Sequence, residues 1–302
     1  MSHCLPFSFE LFPPRDASAT DTLDDSLARL VAAGPSFVSV TYGASGSTRD
    51  GSLAVLRQLL AADARPMAHL TCVGLTVREA SVLVRDFLDA GITRFLALRG
   101  DPPVDGAPLG DLGSASELVQ LIQRVEAERA PYREIGREGR SVVAERPRAV
   151  EVAVAAFPNG HPGSGAGSAR HDVDALLAKQ AAGATLAITQ LFFDPYDYER
   201  FVDLARSRGI TIPIVPGIII PDSARRLVRA AELANERPPA ALLAALDGAS
   251  PEDAERIGID ATVALVDELR HLAPSVHLYT FNRHRAALEV LRGVGSIAGA
   301  SA

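Results

Sequence analysis

Short runs of apolar, β-branched and aromatic residues alternate along this chain with longer segments whose apolar positions recur every three or four residues. The short runs predict strands at 6–10, 36–41, 67–72, 94–98, 150–156, 185–190, 212–217 and 275–279. The longer segments predict helices near 20–33, 50–62, 76–90, 114–128, 171–183, 194–208, 222–234 and 283–292, with two more near 239–247 and 251–271. Strand and helix thus alternate, the pattern of βα units around a parallel sheet. Eight such units in 302 residues favour one closed (β/α)8 TIM barrel domain over residues 1–302, rather than an open doubly wound sheet. The glycine cluster Gly43-Ala-Ser-Gly46 follows the second predicted strand and lacks dinucleotide-binding spacing, which weighs against the open sheet. Two segments fall outside the alternation. Residues 129–149, charged and carrying Pro131 and Pro147, read as an insertion before the fifth strand, and the small-residue tail 293–302 is expected to fray.

Composition narrows the function classes. With 47% hydrophobic residues the chain can bury a substantial core, and a net charge of −7 argues against a phosphate-backbone partner, so nucleic acid is not expected. Two cysteines, Cys4 and Cys72, have neither a disulfide framework nor metal-ligand spacing. No run approaches the roughly 20 apolar residues of a membrane span, and no signal-peptide pattern opens the chain, so a cytoplasmic protein is expected.

In a barrel of this kind chemistry gathers where the strands end in the carboxyl direction. There the sequence places Glu10, Thr41, Arg99-Gly100-Asp101, His161, Gln190 and Tyr279 through Arg283, with His69 inside the third strand. Each has two readings. Glu10 is either half of an ion pair with Arg15 or Arg99, or a buried carboxyl that keeps its proton and serves as a general acid. Asp101 before two prolines is a turn residue or a site carboxylate; His69 is a core histidine or a ligand-facing one; His161 is a loop residue or part of the rim. Residue chemistry alone stops at a barrel enzyme with carboxylates and an amide in one pocket and no metal.

The motifs carry the reading further. Phe7-Ser-Phe-Glu-Leu-Phe-Pro-Pro-Arg15, Phe37-Val-Ser-Val-Thr-Tyr-Gly43, His69-Leu-Thr-Cys72, Leu98-Arg-Gly-Asp-Pro-Pro103, Ile188-Thr-Gln-Leu-Phe-Phe-Asp194, Val215-Pro-Gly-Ile218 and Tyr279-Thr-Phe-Asn-Arg283 occur in this order over nearly the whole chain. Together they resemble the methylenetetrahydrofolate reductase family. The resemblance implies reduction of 5,10-methylenetetrahydrofolate to 5-methyltetrahydrofolate by NAD(P)H, with NADH favoured, the hydride usually passing through bound FAD. It implies Glu10 as the acid that helps open the imidazolidine ring, Asp101 as the carboxylate beside the iminium cation, and Gln190 as the amide orienting pterin and nicotinamide. Arg283 is implied at the folate tail, with Tyr279 a further substrate contact. Flavin contacts are implied at Thr41, His69, Arg99, Gly100, Asp101, His161, Asp172 and Lys179.

The chain departs from the family where the flavin should lie. Ser114 and Phe157 stand where family members commonly carry Tyr, and Ala175 and Ala178 stand at positions usually Asn and basic. Arg226 and Ala230 fall where a substrate-stacking helix carries Gln and Phe. Acid and carboxylate are kept while cofactor contacts thin out, so direct hydride transfer with little or no FAD is expected. The open alternatives are the same reaction through FAD, a related C1-pterin reductase with another donor such as a deazaflavin, and a non-catalytic folate-binding module. The chain ends soon after the last strand, so no regulatory domain is expected; the sequence leaves the oligomeric state unread.

Overall fold

A computed structural model describes residues 4–14, 18–42, 49–101, 109–129, 149–161 and 169–298. In chain order the elements are β1 (Phe7–Leu11), α1 (Ser18–Ala32), β2 (Val38–Val40), α2 (Arg49–Ala61), β3 (Pro66–Thr71), α3 (Val77–Asp89), β4 (Arg94–Leu98), α4 (Ala115–Arg129), β5 (Glu151–Ala156) and α5 (Ala169–Ala181). They continue with β6 (Leu186–Thr189), α6 (Pro195–Ser207), β7 (Ile214–Val215), β8 (Gly217–Ile219), α7 (Ala224–Ala234), α8 (Ala240–Leu246), α9 (Pro251–Leu269), β9 (Val276–Tyr279) and α10 (His284–Gly293).

Every strand pair is parallel, in the order β7-β6-β5-β4-β3-β2-β1-β9-β8. The two end pieces are one stretch of chain interrupted at Pro216. Proline has no N–H to give a ladder, so β7 pairs with β6 on one side and β8 with β9 on the other. The ring therefore closes through the chain itself, and the predicted strand 212–217 becomes two short pieces of one barrel strand. The (β/α)8 expectation is met.

Alternation along the strands sorts the side chains. On β1, Phe7, Phe9 and Leu11 join the large core under the helices, while Ser8 and Glu10 take the opposite parity. Strand register carries that opposite face around the ring, matching Ser8 with His277, Glu10 with Ser39 and Tyr279, Ser39 with Met67, and His69 with Leu96. Phe37, Met67, Leu96, Ala153 and Ile188 form a separate apolar cluster in this lumen, a packed plug rather than a pore. Polar groups lie on the same face nearer the carboxyl ends of β1, β3 and β9. At the other mouth, the Arg94 guanidinium at the start of β4 makes two 2.8 Å hydrogen bonds to the Glu151 carboxylate of β5, a structural ion pair.

Helix ends follow local sequence. Thr76 and Glu79 form a reciprocal capping box on α3, and Asp194 and Ser250 cap α6 and α9 ahead of Pro195 and Pro251. The proposed insertion at 129–149 lies almost wholly outside the described residues. The tail expected to fray from 293 is pinned instead as far as Ser296: Val294 is buried, Ser296 Oγ donates to Leu5 O at 3.0 Å, and Cys4 Sγ donates to Ser296 O.

Candidate active site

Glu10 sits one residue before the end of β1 with 8% of its surface exposed. Its Oε2 lies 3.5 Å from Nε2 of His69 on β3. Burial pushes the Glu10 carboxyl up to about 8 from 4.5 and the His69 imidazole down to about 3 from 6.5. Near neutral pH both are therefore uncharged, and the contact joins a carboxylic acid to a neutral imidazole rather than two ions. Of the cations weighed as partners, Arg99 is exposed and its Nε donates to Gly100 O at 3.4 Å; Arg15 lies outside the described residues.

Below this pair is a group that sequence reading did not single out. His277 on β9 is fully buried, with Nδ1 2.8 Å from Ser8 Oγ and Nε2 3.4 Å from Ser39 Oγ. Phe37 stacks on its ring at 5.5 Å. Burial first, and the neighbouring His69 second, push the His277 imidazole down to about 3. Its signal in the sequence is the alternation Val276-His277-Leu278-Tyr279, which gives His277 the same parity as Tyr279.

Tyr279 crosses the barrel mouth: its hydroxyl donates to Thr189 O of β6 at 2.7 Å. Burial, then the Glu10 carboxyl, push that hydroxyl above its ordinary value. Gly217 lies beneath the bridge, where a Cβ would stand 2.3 Å from Thr189 O and 2.4 Å from Tyr279 Oη, so only glycine fits. Its N–H donates to Thr189 Oγ1 at 2.9 Å. Gln190 follows β6, half-buried, its Oε1 accepting from Leu191 N at 2.9 Å. Arg283 is held between two carboxylates, donating to Asp222 and, at 3.4 Å, to Glu255 Oε1; Arg226 also donates to Asp222.

A second group gathers at the ends of β4 and β5. Asp172 on α5 is buried and accepts from His161 N at 3.2 Å. The His161 ring meets Phe157 edge-on at 4.7 Å. Burial lowers the His161 imidazole, Arg99 and Lys179 lower it further, and Asp172 and Asp101 oppose them, so these charges share one neighbourhood. Lys179 turns inward: Nζ donates to Ala155 O at 2.8 Å and lies 5.7 Å from the Phe157 ring centre, and burial pushes its ammonium down to about 8. Gly100 has φ 86°, and a Cβ there would meet Val73 Cγ1 at 2.6 Å. Ser114 Oγ contacts Ser116 Oγ and accepts from Glu117 N at the start of α4. Thr41 Oγ1 and His69 Nε2 are buried without a hydrogen-bond partner among the described residues. No cluster of three His, Cys, Asp or Glu side chains suited to a metal occurs among the described residues.

The buried titrations set a pH dependence of stability. Between 4.5 and about 8 the folded state keeps a Glu10 proton that the unfolded chain releases, so this group costs stability as pH rises. Between about 3 and 6.5 the unfolded chain protonates His69 and His277 while the fold refuses them, so these two add stability as pH rises. The histidines outweigh Glu10 up to 6.5, and Glu10 acts without them from 6.5 to about 8. Urea midpoints are expected to peak near pH 6.5 and decline toward about 8, with the decline absent in Glu10→Gln. A continuous rise through that window in the native chain would contradict a buried, protonated Glu10.

The closed barrel brings an uncharged carboxyl and a neutral imidazole together at its carboxyl mouth, the face where barrels of this class carry their chemistry. The methylenetetrahydrofolate reductase model matches residues 2–295. The chain is 34% identical to the 5,10-methylenetetrahydrofolate reductase of Escherichia coli K12 over 296 residues, covering 95% of this chain and 90% of that protein. It is 31% identical to methylenetetrahydrofolate reductase (NADH) 1 of Zea mays over 303 residues, 96% of this chain and 48% of the maize protein. Among solved structures, a Clostridium thermocellum protein described as binding two copies of 5-methyl-5,6,7,8-tetrahydrofolic acid matches with a TM-score of 0.61 at 11% identity, covering 96% of this chain and 93% of that one. That likeness is one of fold. The chain belongs to the methylenetetrahydrofolate reductase family and is an oxidoreductase.

Proposed function

We propose that this chain reduces 5,10-methylenetetrahydrofolate to 5-methyltetrahydrofolate with NADH, the hydride passing directly to the substrate with little or no bound FAD. The observation that carries the reductase reading is Glu10, a carboxyl that burial keeps protonated near pH 7 at the lumen mouth. Its proton goes to the amine nitrogen that leaves as the imidazolidine ring opens, which produces the N5 iminium. His69, uncharged beside it, offers no cation to stabilise the carboxylate, so Glu10 keeps its proton until the leaving nitrogen takes it. Asp101 supplies negative charge next to the iminium, and Gln190 orients the pterin. NADH supplies the hydride that completes the methyl group, and Arg283 meets the folate carboxylates.

Among the described residues the donor set for a flavin diphosphate is thin, which supports the direct route. Lys179 is spent on Ala155 O and on the Phe157 ring, and Ser114 on its own helix start. Ala175 and Ala178 offer no side-chain polar atoms, and Asp172 brings a negative charge already bonded to His161 N. Charge-assisted hydrogen bonds contribute roughly 1.5–3 kcal/mol each, so several missing ones weaken affinity by orders of magnitude. Thr41 Oγ1, buried without a hydrogen-bond partner among the described residues, favours a second reading, the same reduction through a flavin held on fewer contacts. An absorbance spectrum of purified protein, followed by NADH oxidation assayed with and without added FAD, separates them. The expected result is no flavin band and a rate indifferent to FAD. Stoichiometric flavin, or a rate that requires it, would sink direct transfer.

A further inference from the structure

Two residues beyond Glu10, the ring of Phe12 stacks on that of Phe281 at a centroid distance of 5.8 Å and an interplanar angle of 7°. Phe281 is 52% exposed, so one face of the stacked pair is open to water. The backbone holds it there at some strain: Phe281 has φ 49° and Asn282 φ 61°, two successive non-glycine residues in the left-handed region. Such conformations persist where the surroundings enforce them, and they concentrate at ligand sites.

The enforcing bonds are all present. Asn282 Nδ2 donates to Phe12 O and Asn282 Oδ1 accepts from Phe12 N, both at 2.8 Å. Thr280 Oγ1 donates to Glu10 O at 2.7 Å and accepts from Asn282 N, while Ser26 Oγ donates to Asn282 O at 3.1 Å. The turn is thus closed by backbone groups and by Thr280, Asn282 and Ser26, with no bond from the Phe281 ring. The same bonds fix the carboxyl end of β1, so the ring pair is registered to the acid at Glu10. On the far side of the turn comes Arg283.

We propose that Phe12 and Phe281 form an aromatic shelf that binds the aminobenzoyl ring of the folate substrate. This rests on the reading given under Proposed function. A folate is linear: pterin, then aminobenzoyl, then glutamate. The rim brings together an acid at Glu10, a stacked pair with one open aromatic ring two residues on, and the guanidinium of Arg283 two residues beyond Phe281. A flat arene laid on Phe281 extends the stack and covers the apolar surface that the turn leaves in water.

The test uses the full chain and three ligands. Phe281→Ala is expected to weaken p-aminobenzoylglutamate binding in calorimetry and to raise KM for methylenetetrahydrofolate, each about 10-fold, without moving KM for NADH. Phe281→Tyr, which keeps the ring, is expected to restore both. Fragment affinity and folate KM indifferent to Phe281→Ala would overturn the shelf, and so would a rise confined to the KM for NADH, which would give the ring to the dinucleotide. The underlying reading fails separately. Fragment binding that depends on Phe281 in a chain that reduces no folate keeps the shelf and removes the reductase, whereas turnover indifferent to Phe281 keeps the reductase and removes the shelf.

Discussion

Glu10→Gln is expected to lower kcat for NADH-dependent reduction of methylenetetrahydrofolate by roughly 10²–10⁴-fold, the range of a lost general acid. Glutamine preserves shape and burial, so the change removes the transferable proton and little else. Because an ionised Glu10 is disfavoured in this lumen site up to about pH 8, the native enzyme is expected to lose activity as pH rises through that value. The residual rate of the variant should lack that limb. Affinity for 5-methyltetrahydrofolate, measured by equilibrium binding, is expected to survive, since the product no longer needs the proton. A Glu10→Gln enzyme turning over at the native rate would end the assignment and return Glu10 to a structural role.

The second large effect concerns Arg283. Arg283→Ala is expected to raise KM for methylenetetrahydrofolate about 10–100-fold, the equivalent of one charge-assisted contact at roughly 1.5–3 kcal/mol, while kcat changes far less than in Glu10→Gln. The structure adds a companion variant. The guanidinium is already held by Asp222, whose side chain is only 11% exposed, and by Glu255. A substrate carboxylate must therefore compete with two resident ones. Asp222→Asn frees Arg283 and is expected to lower that KM about 2–5-fold through improved charge complementarity. Steady-state kinetics on the two variants decides the matter. Opposite shifts support tail recognition at Arg283, and an unchanged KM in Arg283→Ala places the tail elsewhere.

Much of this architecture could be read in advance because period and length are local properties. Strands such as 94–98 and the long segment at 251–271 fall where the pattern puts them, with end shifts of a residue or two. The split of 212–217 at Pro216 was less legible. Proline announces a missing donor, but its consequence, pairing to different neighbours on either side, depends on closure of the whole ring. Within the site, Glu10 was visible as a carboxyl at a strand tip, yet its partner was not: whether it met Arg15, Arg99 or His69 depends on which strands adjoin β1 and on parity around the lumen. His277 was hidden for the same reason, being polar in a strand whose inward face shows only once β1 and β8 flank it. Asp222 escaped notice because nothing near it in the sequence marks it as the counter-charge of Arg283, which lies 61 positions away.

The interruption at Pro216 also bears on how the barrel yields. Elsewhere around the circumference, neighbouring strands are joined by backbone ladders, and parting them would break several bonds in concert. Past Pro216, Thr189 ties β6 to β8 through its hydroxyl, which accepts from Gly217 N, and to β9 through its carbonyl, which accepts from Tyr279. That seam is the compliant sector of the hoop. Because Tyr279 lies next to Glu10 in the sheet, any widening of that seam is felt first at the acid.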